Sequence, residues 1–229
     1  MINNICLLSL EITKYAGEIG VGILETLYMV IVSTLISYII GLPLGILLCV
    51  TDKEGICPCK PFNAIAGFIV NFLRSVPFII LLVALIPFTR TLVGTAIGST
   101  ATIVPLVISA FGFVARMVES SIKEVDAGII EAAESMGTPT FKIITKVLVP
   151  EAKPSLLMGS AIAITTILGY SAMAGFVGGG GLGAIAINYG YYRYNTGVML
   201  VTVVFLVIIV QLFQEIGIRA TRVTDKRIK

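Results

Sequence analysis

From Thr26 to Val50 the chain runs without one charged side chain, and comparable apolar runs follow at 64–87, 93–115, 156–177 and 196–213. A helix rising about 1.5 Å per residue crosses a hydrocarbon core of roughly 30 Å in about 20 residues, so each run is long enough to span a bilayer. The runs are continuously apolar rather than alternating, and bare backbone in lipid would leave polar groups unpaired, so helices are predicted and barrel strands are not. Composition agrees, with 57% hydrophobic residues, 13% charged residues and a mean hydropathy of +1.02. The fold class expected is an all-α polytopic membrane protein, a single membrane domain over 1–229 with five transmembrane helices and a long polar loop at about 116–155. A soluble enzyme domain has no room in it.

The second run is interrupted by Arg74, and the charge-free stretch from Ser75 to Thr89 is too short to cross alone, so the segment from Ala64 to Leu73 must contribute. Pro77 predicts a break there, and Pro43 and Pro105 predict breaks in their own spans. Gly41, Gly45, Gly159, Gly169 and Gly175 are read as close helix-packing positions. Before the first long run the chain lacks a basic stretch, carries Glu11 and Glu18, and has no small-residue cleavage site, so a cleaved signal peptide is not expected.

Basic residues alternate between successive polar segments: Lys14, then Lys53 and Lys60, then Arg90, then five in the central loop, then Arg193, then five in the tail. The loop carries Arg116, Lys123, Lys142, Lys146 and Lys153; the tail carries Arg219, Arg222, Lys226, Arg227 and Lys229. With the richer segments inside, the N-terminus is expected outside and the central loop and C-terminus in the cytoplasm. The net charge of +3 is then a topology signal beside anionic lipid rather than a nucleic-acid patch.

The sequence contains no His, which excludes Ser-His-Asp and Cys-His nucleophile arrangements and His-based metal sites. Cys6, Cys49, Cys57 and Cys59 are scattered apart from one C-x-C pair in a predicted cytoplasmic loop, where reduced thiols are expected. Neither a catalytic nor a metal site is predicted. Gly178, Gly180 and Gly183 satisfy G-x-G-x-x-G, but no strand precedes them, no acid follows for about 20 residues and no Lys completes a phosphate loop. A flexible outer turn after the fourth span is the expectation there.

The central loop reads as two short helices. Asp126 can cap the first, Ile129, Ile130, Ala133 and Met136 give it an apolar face, and Gly137 can take the left-handed position that ends it. Thr138 then caps a second helix with Pro139 at its first position and Phe141, Ile144, Val147 and Leu148 at helical spacing. Periodicity alone fits a surface-lying pair and a docking pair equally.

Glu131, Ala132, Ala133, Gly137, Val147, Val149 and Pro150 resemble, residue for residue in spacing, the EAA loop of binding-protein-dependent ABC importer permeases. Val147 and Val149 stand where that pattern has Ile and Leu, which keeps apolar character. NFLRSVPFIILL from Asn71, IPFTR from Ile86, ARMVE from Ala115, ESMGTP from Glu134 and GYSAMAGFVGGGGLG from Gly169 are similar, in that order, to the methionine-importer branch. The resemblance covers roughly Leu24 to Phe213.

It implies a homodimer of five-span subunits in the bacterial inner membrane, two cytoplasmic ATPase subunits docked on the EAA loops, and an external substrate-binding lipoprotein. ATP and Mg would be bound by the ATPase, and no cofactor by this chain. Alternating access is implied, with Glu131, Ala132, Ala133, Gly137 and Pro150 coupling to the ATPase and Tyr170, Ser171 and Met173 on the translocation pathway. The same kind of permease for another amino acid, a short peptide or a small organic solute is the alternative. A gradient-coupled carrier fits less well, because the five predicted spans contain no Asp or Glu.

Overall fold

The computed structural model describes the backbone of residues 2–224 and the side chains of residues 15–224. Among the described residues there is no strand. Helix α1 (Ile2–Val50) is followed by α2 (Lys60–Ser75), the short α3 (Phe78–Ala84) and α4 (Ile86–Val93), then α5 (Ser99–Lys123) and α6 (Ala127–Ser135). Next come α7 (Thr140–Ile143), a π-helical turn (Ile144–Leu148) and α8 (Val149–Glu151). Helix α9 (Lys153–Ala174) ends in a 3-10 turn (Gly175–Val177), α10 (Gly181–Ile185) widens into a second π-turn (Ala186–Tyr191), and α11 (Thr196–Thr224) is the last element.

Four helical segments are long and apolar enough to cross a membrane, with α1 counted from Tyr15, and α2 with α3 makes a fifth when the two count as one broken span. The break expected at Pro77 is present: Val76 is extended, and α3 starts after Pro77. Pro43 and Pro105 do not break their helices, since α1 and α5 run through them. The helices also overrun the apolar runs. The first extends toward the N-terminus and brings Glu18 and Glu25 onto α1, the third ends at Lys123 rather than Ala115, and the last continues past Phe213 to carry Glu215, Arg219 and Arg222. Val93 belongs to α4, which ends at Gly94 in the left-handed region. Carboxylates therefore do occur on the membrane helices. A hydropathy window stops at the first charge, whereas a helix continues for as long as its backbone bonds and packing are satisfied. Lys14 and Cys6 near the N-terminus, and Lys226, Arg227 and Lys229 in the tail, lie outside the residues whose side chains are described.

Contacts divide the chain into two compact units. One holds the residues up to Thr34 together with Pro77–Val107 and Ile164–Phe213; the other holds Leu35–Val76, Ile108–Ala163 and the segment from Gln214. In the second unit, Val114, Val118 and Ile122 of α5 form one core with Val50, Ala133, Ile143 and Leu148. Gly41 and Gly45 let α1 close on α5, where a Cβ at Gly45 would lie 2.7 Å from Val118 Cβ. Gly159 meets Met117 in the same way, but nothing lies near Gly169, which is not a packing position within this chain. In the first unit, Gly175 and Gly183 bring their backbones together with no space for side chains. Leu24, Tyr28, Ile31, Leu35 and Ile39 form an exposed stripe along α1, as expected of a helix with one face in lipid or against another subunit.

Candidate coupling and gate sites

In the loop helices, Asp126 caps α6 as expected, its Oδ1 accepting from the Gly128 amide at 2.7 Å. Gly137 has φ +71° and ends the helix, its N–H donating to Glu134 O at 2.8 Å while Thr138 N–H donates to Ala133 O at 3.2 Å. A Cβ at Gly137 would meet nothing within 4 Å, so the demand for glycine here is backbone conformation rather than space. The next helix starts later than the spacing predicts, with Pro139 as the capping residue and Thr140 first. Its π-turn at Ile144–Leu148 stands just before Pro150, which is exposed on α8. Proline lacks an N–H and crowds the carbonyl four residues back, and a widened turn relieves both defects.

The two helices present faces that differ in part from the predicted ones. Ile130 and Ala133 of α6, and Ile143, Ile144, Val147 and Leu148, pack on the core of α5. Ala133 is therefore buried inside the chain. Glu131, Ala132 and Glu134 are exposed, as are Met136 and Phe141 on either side of the Gly137 turn at 77% and 76%. Each predicted apolar face is thus divided, with Ile130, Ala133, Ile144, Val147 and Leu148 packed inward and Met136 and Phe141 left exposed at the turn. Glu131 and Glu134 line a groove of about 580 Å³ with Asp52, Glu54, Lys123 and Ile130.

Beneath this groove lies an ion-pair ladder along α5 that apolar periodicity does not reveal. Glu119, with 8% of its side chain exposed, accepts from Arg116 at 2.6 Å and Lys123 at 3.0 Å. Arg116 Nε also donates to Asn71 Oδ1 of α2 at 3.1 Å, and Lys123 reaches Asp52 in the loop after α1 at 2.5 Å. The ladder thus ties α2, α5 and the first loop together. The Lys123 hydrogen bond holds the Asp52 carboxyl below the usual aspartate range. Ending the third span at Ala115 places these residues in a loop, where their helical spacing carries no meaning; continued as helix, the i, i+3 and i, i+4 pairs are plain.

The three predicted pathway residues are not brought onto one face. Tyr170 stacks on Phe78 with ring centroids 4.5 Å apart and planes 5° apart. Ser171 is 1% exposed, buried within the chain, and its hydroxyl donates to Leu168 O at 2.8 Å. Met173 is 47% exposed and points out of the chain. The glycine-rich segment that follows is not a loose turn: the Gly98 amide donates to Gly178 O, the Gly179 amide to Ala174 O, and α10 starts within it.

Bent and unbroken apolar helices long enough to cross a bilayer, with a capped helix pair in one long loop, describe a polytopic membrane protein. Residues 41–229 match the family described as the inner membrane component of binding-protein-dependent transport systems, and the chain belongs to it. It is 51% identical over 203 residues, 89% of this chain and 90% of the relative, to a probable D-methionine transport system permease protein MetI of Vibrio cholerae. Against the methionine import system permease protein MetP of Bacillus subtilis it is 45% identical over 203 residues, 89% of this chain and 91% of that one. A chain from an inward-facing crystal form of the MetNI methionine ABC transporter superposes with a TM-score of 0.91 at 46% identity, covering 93% of this chain and 99% of that one. The chain is thus an ABC permease subunit, a transport component rather than an enzyme.

Proposed function

We propose that this permease translocates methionine, driven by ATP hydrolysis on separate subunits. The observation that carries the proposal is near-full-length similarity, at 45–51% identity, to permeases named for methionine transport in two bacteria. The proposed assembly is a dimer of this chain with two ATPase subunits and an external binding lipoprotein, the ATPase holding the ATP and Mg. To test the substrate, the assembled complex is supplied with its receptor and single amino acids. Methionine should stimulate ATP hydrolysis above the receptor-only rate. Stimulation by a different amino acid, a short peptide or another solute, with none by methionine, would replace the substrate while keeping the class.

The ATPase contact is assigned to the exposed side of the loop pair, to Glu131, Ala132, Met136 and Phe141, with Gly137 and Pro150 setting the course of the chain. Ala133 anchors this surface to α5 from within. Helix α9 then continues without interruption from Lys153 to Ala174, about 33 Å at the usual rise, and so links the end of the loop to Met173 covalently. The orientation proposed has the loop and C-terminus in the cytoplasm and the N-terminus outside. Cysteines introduced near Lys14 and Lys226, after removal of Cys6, should label from opposite sides of the membrane; labelling from one side contradicts the orientation.

Met173 is assigned to the closure of the pathway, against its own copy in the partner subunit. A flexible thioether can seal an apolar constriction and move aside at small cost, and its exposure in the single chain leaves it free for such a contact. Met173→Cys, in a background without the four native thiols, should cross-link subunit to subunit in the closed state and lose the cross-link when ATP and receptor open it. Failure to cross-link in every state removes Met173 from the gate.

A further inference from the structure

Helix α10 begins in the glycine-rich turn, and its first free amides find their acceptors on α1. Glu25 Oε2 accepts from the Gly181 N–H at 2.6 Å. The Thr26 hydroxyl accepts from the Leu182 N–H at 2.9 Å and donates to Gly22 O at 2.8 Å. Opening amides of a helix have no intrahelical partner, and the peptide dipoles there favour a nearby negative charge, so a carboxylate is well suited to the place. The glycines admit it: a Cβ at Gly180 would lie 2.6 Å from Glu25 Oε2 and one at Gly181 2.5 Å from Thr26 Oγ1, and Gly181 has φ +79°. On the other side of the turn, Gly175 packs directly on Gly183. The segment carrying Met173 and helix α10 therefore form one hairpin whose far limb is pinned to α1.

We propose that Glu25 is a positioning residue for transport: by holding the Gly181 amide it sets where the hairpin, and with it Met173, stands in the closed state. This rests on the assignment of Met173 to the gate. Glu25 is half-buried and borders a cavity of about 350 Å³, lined also by Glu18, Asn188 and Tyr189, so water can reach the bond and replace it when the hairpin moves. A purely structural cap would affect stability alone. A positioning residue also biases the equilibrium between closed and open states, because the bond is made in one of them only.

The test compares wild type, Glu25→Ala and Glu25→Gln in the complete complex of permease, ATPase and receptor. Amide hydrogen exchange of the peptide covering residues 178–185 is read together with ATP hydrolysis without and with receptor. Loss of one charge-assisted hydrogen bond should speed exchange there by about tenfold or more in Glu25→Ala. Receptor-independent hydrolysis should rise severalfold relative to the stimulated rate, and Glu25→Gln, which keeps an acceptor oxygen, should fall between. If Glu25→Ala fails to assemble, the same comparison is made with Glu25→Gln. Unchanged exchange overturns the latch, and faster exchange with an unchanged ratio of hydrolysis rates overturns the positioning role. Failure of Met173→Cys to cross-link would remove the gate separately, with the exchange result still deciding whether Glu25 holds the hairpin.

Discussion

Glu119→Ala is expected to destabilise the permease by about 2–3 kcal/mol, the largest stability loss among the polar side chains considered. Its carboxylate is nearly buried and accepts from two cations, so removal leaves Arg116 and Lys123 facing each other across the space it occupied. Breaking a fully buried pair costs roughly 3–5 kcal/mol; the expected value is lower because Arg116 and Lys123 are 27% and 45% exposed and keep Asn71 and Asp52 as partners. Glu119→Gln, which preserves volume and one acceptor, should lose less. Unfolding of the purified permease in mixed detergent measures both, and a double-mutant cycle with Arg116→Met isolates the coupling between the two residues. An unchanged midpoint for Glu119→Ala would show that the ladder contributes nothing to the fold. The functional consequence follows from the chain path, since α6 starts only a few residues after the Lys123 end of the ladder. A loosened α5 terminus is a loosened base for the coupling helices.

Gly137→Val is expected to abolish most transport while leaving the receptor's affinity for its ligand intact. The left-handed backbone at Gly137 costs roughly 1–2 kcal/mol for a residue with a Cβ, and more for a β-branched one. The surroundings offer no steric obstacle, so the chain can escape the strain only by changing its turn and redirecting the helix after it. Met136 and Phe141, the two exposed apolar side chains flanking the turn, would then no longer keep their present positions. Uptake should fall at least tenfold with the complex still assembled, and Gly137→Asn, which tolerates the left-handed region, should retain much more. Normal uptake by an assembled Gly137→Val complex would remove this loop from coupling.

These two residues also mark what can be read from sequence and what cannot. Gly137 was legible because its chemistry is local: a capping Asp, an apolar period and a glycine at the helix end specify a turn without reference to anything distant. Pro77 was legible for the same reason. Glu25 and Glu119 were not: Glu25 acts across a long sequence separation, and Glu119, though its pairs are local on α5, sits beyond the point where a hydropathy window ends the span. Ala133 is read both on the apolar face of the first loop helix and, by resemblance, among the coupling residues, and the structure places it on that apolar face. A motif places it beside Glu131 and Ala132, but successive helix positions turn by about 100°, and the third residue of the triplet faces the core of α5. Ser171 and Met173 diverge likewise, one buried and one exposed. The glycine-rich run reads locally only as a turn, and its hairpin is held by hydrogen bonds to Glu25 and Thr26, over 150 residues earlier.

Accumulation of labelled methionine in sealed proteoliposomes, containing this permease with its ATPase and supplied with receptor outside and ATP inside, tests the account most directly. Uptake against the methionine gradient should require both ATP and receptor, persist when proton and sodium gradients are collapsed, and fall away with Gly137→Val. Uptake by the permease alone, driven by a proton or sodium gradient and indifferent to ATP, would contradict it.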